Sequence, residues 1–176
     1  MSRETLLADA VEHFARHGIG DASLRAIAAG VGTSHRMLIY HFGSREGLLA
    51  EVVRAVEQQQ RELLAELSTS ELPIAEQSAQ FWRRVTEATL IYGPLFFEVT
   101  AYAMRTGKAP DLVQVWLPPL VELCVKAGID PAEAPAYARL GLAAARGLLH
   151  DLLLTGDREQ VDEASRLLDR LFRLPR

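Results

Sequence analysis

Apolar residues recur at three- and four-residue spacing along most of the chain, the period of an amphipathic helix, and the pattern predicts an all-α protein of about nine helices. The first spans about residues 3–17, with Leu7, Ala10, Val11 and Phe14 on one face, Ser2 as its cap and Gly18 as its stop. Two short helices follow between Ser23 and Glu46. In the first of them Leu24, Ile27, Ala28 and Val31 sit at helical spacing behind Ser23, whose hydroxyl can cap the open amides of a helix start. Gly30 and Gly32 end it, because glycine tolerates the left-handed backbone of a sharp exit. Thr33 or Ser34 caps the second, which turns Leu38 and Phe42 to one side and His35, Arg36 and Tyr40 elsewhere. Packed together, the three helices share a core of Leu7, Val11, Phe14, Leu24, Ile27, Leu38 and Phe42, and the last two form a helix-turn-helix.

A fourth helix, capped by Ser44, carries Leu48, Leu49, Val52 and Val53 and runs to about residue 67. We place the domain boundary inside it, giving an N-terminal domain at 1–54 and a C-terminal helical domain at 55–176. The pattern then predicts helices over about 74–91 and 94–106, separated by Gly93-Pro94, and a stop at Gly107–Pro110. A helix over about 111–127 should be kinked or split by Pro118-Pro119. Asp130, Pro131 and Glu133 read as cap, first turn and capping-box partner of a helix running to Leu154. The last helix, about 158–173, has Val161, Ala164, Leu168 and Leu171 along one stripe. These eighth and ninth helices carry more apolar surface than one partner helix could cover. Gly141, Ala144, Ala145 and Gly147 would let another helix approach closely, so this hairpin is the expected homodimer contact, as a four-helix bundle.

Composition narrows the function. A chain of 176 residues removes roughly 70% of its unfolded surface from water on folding, enough for one or two domains. No apolar run approaches the ~18 to 20 residues of a membrane span, so a cytoplasmic protein without a membrane partner is expected. Cys124 is the one cysteine, which excludes an internal disulfide and a multi-cysteine metal site, and its apolar context predicts a buried thiol. His13 and His17 have no third ligand in view; no metal, cofactor or catalytic constellation is expected, and the chain does not read as an enzyme.

The net charge of −4 opposes nucleic-acid binding until its distribution is considered. Residues 1–54 hold six arginines against six acids, and the acidic excess lies beyond them. Between Asp21 and Glu46 there is no acid at all, while Arg25, Arg36 and Arg45 supply positive charge and His35 and His41 supply donors. These residues resemble the DNA-binding domain of the TetR family of bacterial transcriptional regulators. Phe14 and Gly18, then Ser23-Leu24-Arg25, Ile27-Ala28 and Gly32 with Ser34, then Tyr40-His41-Phe42-Gly43-Ser44-Arg45-Glu46 and Leu48-Leu49 carry the resemblance, over roughly residues 4–54.

The resemblance implies a dimer that reads a pseudo-palindromic double-stranded DNA operator, most commonly as a repressor. The DNA-contact set is then Ser23, Arg25, Ser34, His35, Arg36, Tyr40, His41 and Arg45. His35 and Arg36 would reach base edges, where a bidentate arginine–guanine contact is worth about 1 to 3 kcal/mol. His41 and Arg45 match phosphate-holding positions. The chain departs from the family at Ile39, where a tyrosine is usual, and places Tyr40 one residue later.

Aromatic crowding in the C-terminal domain suggests a cavity for a small hydrophobic or aromatic effector, lined by Phe81, Trp82, Phe96, Phe97, Thr100, Met104, Trp116 and His150. Glu98 and Arg146 are further polar groups within apolar runs that would orient it. Ligand binding would shift the fourth helix and release DNA. The competing reading is a helical dimer that binds a small molecule or protein and has lost DNA binding, as the neutral N-terminal domain and the displaced tyrosine allow.

Overall fold

A computed structural model describes residues 2–18, 22–106 and 112–172. Among them all regular structure is helical: α1 (Arg3–His17), α2 (Leu24–Gly30), α3 (His35–Phe42), α4 (Arg45–Thr69), α5 (Ile74–Thr106), a 3-10 turn (Gln114–Trp116), α6 (Leu117–Lys126), α7 (Ala134–Thr155) and α8 (Arg158–Phe172). The expected stop at Gly107–Pro110 and the last residue of the final helix lie outside the described residues.

The chain divides into two compact units that are not consecutive in sequence. The first is Met1–Gln60 with Leu90–Pro110; the second is Arg61–Thr89 with Asp111–Arg176. Residues 90–106, which the sequence places in the C-terminal domain, therefore cluster with the helix-turn-helix.

In the first unit, each of the four leading helices is started by a serine. The Ser2, Ser23, Ser34 and Ser44 hydroxyls accept from the amides of Thr5, Ala26, Met37 and Gly47 at 3.2, 3.3, 3.2 and 3.0 Å. A helix start has four amides without an intrahelical partner, and a serine cap satisfies one of them for about 1 kcal/mol. The turn between α2 and α3 is made at Gly32, whose φ of 68° suits a residue without a Cβ. Gly30 serves differently: it remains helical, and a Cβ there would lie 2.3 Å from the His13 ring. The core is Leu6, Ala10 and Phe14 from α1 with Leu24, Ile27, Leu38 and Phe42, joined by Leu48, Leu49 and Val52 of α4 and by Leu95 and Val99 of α5. On α1 the buried stripe is thus Leu6–Ala10–Phe14, while the expected Leu7 and Val11 are only half-buried on its shoulder.

Three expectations at prolines are corrected. Gly93-Pro94 does not separate two helices, because α5 passes through it unbroken. Proline removes one rung of the ladder, the amide that would reach the Leu90 carbonyl, but Pro94 and Leu90 are both exposed, where water can serve that carbonyl. Pro118 and Pro119 do not split a helix; they occupy the first turn of α6, where a missing amide costs nothing. Asp130 caps a turn instead of α7 itself, accepting from the Ala132 amide at 2.7 Å, and α7 begins at Ala134.

In the second unit α6 packs on α7 and α7 on α8. Its buried residues include Leu64, Val85, Thr86, Trp116, Ile129, Ala134, Ala138, Leu152 and Val161. Two polar ties join its segments, one between α5 and α8 and one from α7 to the bend before the 3-10 turn. The Trp82 indole N–H donates to Asp162 at 2.7 Å, and the Arg146 guanidinium donates to the Leu112 carbonyl at 2.5 Å.

Candidate nucleic-acid interface and effector cavity

The helix-turn-helix presents an exposed face built from the two capped helix starts. Ser23 and Arg25 of the α2 start and Ser34, His35 and Arg36 of the α3 start are all exposed. Capping uses each serine oxygen as an acceptor and leaves its hydroxyl hydrogen to be donated outward. Tyr40 is 79% exposed and Ile39 40%. Four residues separate Arg36 from Tyr40, so both lie on one stripe of α3, and Ile39 lies on the neighbouring stripe under His35. The departure from the family's usual tyrosine thus places the phenol one turn beyond Arg36 instead of one turn beyond His35.

Charge is sorted within the unit. Of the six arginines in residues 1–54, Arg3 pairs with Glu51 at 2.9 Å, Arg54 shares Glu51, Arg16 pairs with Glu12, and Arg45 pairs with Glu98 at 2.7 Å. Arg25 and Arg36 are the remaining two, exposed and not ion-paired among the described residues. The neutral arithmetic of the segment therefore conceals a face with two uncompensated cations.

Two of the expected contact residues are engaged inside the protein. Arg45 donates from Nε to the Ala22 carbonyl at 3.0 Å as well as from Nη1 to Glu98. His41 is half-buried, stacked edge-on against Tyr40 with ring centroids 4.9 Å apart, and its Nε2 is buried without a hydrogen-bond partner among the described residues. Only part of each side chain faces outward. His13, behind the turn, is desolvated over Gly30 and lies near His17 and Arg16, and these effects in that order hold its pKa below the usual histidine value. Tyr92, half-buried, donates its hydroxyl to the Val11 carbonyl at 3.3 Å.

The second unit contains a cavity of about 490 Å³. Its walls come from the end of α4 (Leu64, Leu67), the start of α5 (Ile74, Phe81, Trp82), α6 (Leu120, Leu123, Cys124), α7 (Tyr137, Gly141, Leu142) and α8 (Leu168, Phe172). Polar groups are few, chiefly Ser68, Ser70, Gln77, Lys126, Ser165 and Asp169. Lys126 donates to the Ser68 carbonyl at 2.8 Å and the Gln77 amide to the Leu72 carbonyl at 2.8 Å.

Of the eight residues expected to line an effector site, Phe81 and Trp82 line this cavity and six do not. Phe96, Phe97, Thr100 and Met104 belong to the first unit. There Phe96 and Phe97 stack edge-on at 5.3 Å, the Thr100 hydroxyl donates to the Phe96 carbonyl at 2.7 Å, and Met104 is 76% exposed. Trp116 is buried against Phe81, centroids 6.3 Å apart, and His150 is exposed. Tyr137, Phe172 and the aliphatic walls of this cavity, which meet only through the packing of α6, α7 and α8, are not among the residues expected from sequence. Cys124, expected in the core, is half-buried on the cavity wall, and its burial pushes the thiol pKa up, which keeps it protonated at neutral pH.

On the α7–α8 hairpin, Leu140, Leu154, Leu167 and Leu171 are 60, 73, 48 and 64% exposed. Ala143 and Gly147 are exposed between the first two, and a Cβ at Gly147 would meet nothing within 4 Å.

Residues 6–52 match the family model for bacterial regulatory proteins of the tetR family. A curated relative, the HTH-type transcriptional regulatory protein RaaS of Mycobacterium tuberculosis, is 56% identical over 39 residues, which is 22% of this chain and 18% of RaaS, so the likeness spans less than a fifth of that relative. Among solved structures, a structural-genomics regulator from Rhodococcus sp. RHA1 superposes with a TM-score of 0.78 at 20% identity, covering 99% of this chain and 97% of the other. BioQ, solved with its natural double-stranded DNA operator, superposes with a TM-score of 0.65 at 21% identity, covering 98% of each chain. Those two likenesses establish the fold along nearly the whole chain, and the first two findings identify its N-terminal portion. No helix among the described residues is long and apolar enough to cross a membrane. Residues 6–52 are a helix-turn-helix domain of the kind found in the tetR family of bacterial regulatory proteins.

Proposed function

We propose that this protein is a transcriptional repressor that binds a pseudo-palindromic double-stranded DNA operator as a homodimer and leaves it when a small hydrophobic or aromatic effector occupies the cavity of the second unit. The observation that carries the DNA reading is the sorting of charge: of six arginines near the start of the chain, the two exposed and not ion-paired among the described residues are those of the helix-turn-helix. Arg36 and His35 read base edges in the major groove, while Ser23, Arg25 and Ser34 meet phosphates beside capped helix starts, with Tyr40, His41 and Arg45 at the edge of the contact. BioQ, a protein of the same fold, was solved on its operator, which supports the reading.

The α7–α8 hairpin supplies the dimer contact. Leu140, Leu154, Leu167 and Leu171 form an uncovered apolar stripe, and Ala143 and Gly147 admit a second helix at close range. Aromatic and aliphatic walls with few polar groups suit an apolar effector of drug-like size. Helix α4, in the first unit through Gln60 and in the second from Arg61, is the element through which occupancy weakens DNA binding, for which about 1 to 3 kcal/mol of coupling is enough.

Selection of bound duplexes from a random pool tests the whole reading. The expected result is enrichment of fragments with two-fold symmetry, retained by a protein that sediments as a dimer. A pool that shows no enrichment, together with a protein that stays monomeric at every concentration, would refute it.

A further inference from the structure

Arg45 stands at the start of α4, beside Ala22 and the Ser23 cap of α2, on the side where the proposed interface meets phosphates. Yet two of its three guanidinium nitrogens are committed inside the protein. Nε donates to the Ala22 carbonyl, which fixes the group against the α2 start, and Nη1 donates to Glu98 Oε1 at 2.7 Å. Glu98 comes from α5, is separated from Arg45 by 53 positions in sequence, and remains 45% exposed. It brings a carboxylate to the edge of a helix-turn-helix whose own sequence excludes acids. A pair that served only to hold the fold would be no weaker if it lay away from the DNA face; this one lowers positive potential where the interface would use it.

We infer that Glu98 is a positioning residue that limits DNA affinity: it competes with a phosphate for Arg45, so the protein binds its operator more weakly than its fold permits. The inference rests on the DNA-binding reading above. The carboxylate acts through Arg45 and touches neither base nor sugar. Its removal frees one cation that is already aimed by the Ala22 carbonyl, and each additional phosphate that a cation neutralises releases about one more counterion.

The test compares wild type, Glu98→Gln, Glu98→Asp, Arg45→Gln and the Arg45→Gln/Glu98→Gln double variant. Fluorescence anisotropy is recorded on a duplex recovered by the selection above, or on a mixed-sequence duplex at low salt if none emerges, across a salt series, with thermal melts alongside. Glu98→Gln should bind about two- to fivefold tighter at low salt, with the slope of log K against log salt steeper by about one. Glu98→Asp keeps the charge and should stay near wild type, and in the Arg45→Gln background the Glu98 change should do nothing. An unchanged affinity and slope for Glu98→Gln, or an equal increase in affinity without Arg45, overturns the inference while leaving DNA binding intact. Absence of binding to any duplex by wild type and variants alike removes the DNA reading and this inference with it.

Discussion

The proposed DNA face and the proposed effector cavity are built on opposite principles. The face is a set of exposed side chains aimed by bonds between residues three apart: Ser23 to Ala26, Ser34 to Met37 and Ser44 to Gly47. The cavity is a concave space whose walls lie between Leu64 and Phe172, drawn from five helices, with no local bond that determines it. A surface built locally can change one contact at a time and keep its neighbours in place. A void built by distant walls answers to every helix that bounds it, so its shape and its stability cannot be varied separately.

The comparison is broken most severely by attacking what the local face stands on. Phe14 is fully buried, and Phe14→Ala should cost about 3 to 5 kcal/mol, read as a lower urea midpoint with collapse of DNA binding. If DNA binding survived intact, the face would not need the three-helix core. Next in size is Arg36→Ala. Here DNA affinity should fall by about 1 to 3 kcal/mol, with relaxed selectivity at one base position, while thermal stability stays at the wild-type value. A loss of stability of similar size would show that Arg36 belongs to the fold.

The cavity should behave in the other way, with structure and response tied together. Trp82 both lines it and donates to Asp162, which Arg158 also contacts at 2.9 Å. Trp82→Phe should therefore lower stability by about 1 kcal/mol and alter effector affinity in one step, measured by denaturation and by calorimetry with hydrophobic compounds. An effector response altered without any change in stability would mean that the wall is as modular as the DNA face.

The smallest effect concerns pH. Burial lowers the His13 pKa, so the unfolded chain takes up the proton first. The contribution of neutral His13 is complete above the ordinary histidine range and is lost as pH falls through the lowered folded value. Urea midpoints measured from neutral to mildly acidic pH should decline for wild type and decline less for His13→Gln. An identical decline in the two proteins would place the sensitivity elsewhere.

The locally built region was the legible one. The Ser2, Ser23 and Ser44 caps, a fourth at Thr33 or Ser34, the Gly32 turn and the burial of Phe14, Leu24, Ile27, Leu38 and Phe42 follow from spacing, because a cap and a helical stripe are properties of a few adjacent residues. The slips there are Leu7 and Val11, half-buried beside the Leu6–Ala10–Phe14 stripe because an apolar doublet satisfies either stripe until the packed partner decides, and Gly30, which stays helical against His13 where a stop was expected. Beyond the caps the sequence misled where geometry at a distance decides. Pro94 reads as a breaker, but it lies on an exposed side of α5 where one missing rung is tolerated. Crowding of large apolar side chains pointed to Phe96, Phe97 and Met104, but crowding says nothing about direction; these three do not line the cavity of the second unit, whereas Tyr137 and Phe172 do. The Arg45–Glu98 pair has no signature in either local sequence.

The choice of serine at positions 23 and 34 has a consequence for anyone who would harden this protein against heat. Aspartate caps a helix about as well as serine and would also favour the positive end of the helix dipole. At these two starts it would add a carboxylate to the surface proposed to meet a polyanion, exchanging thermal tolerance for recognition. A neutral hydroxyl is the cap that serves both, so thermostabilising substitutions belong at other helix starts, such as that of α7, where no side chain caps the first turn.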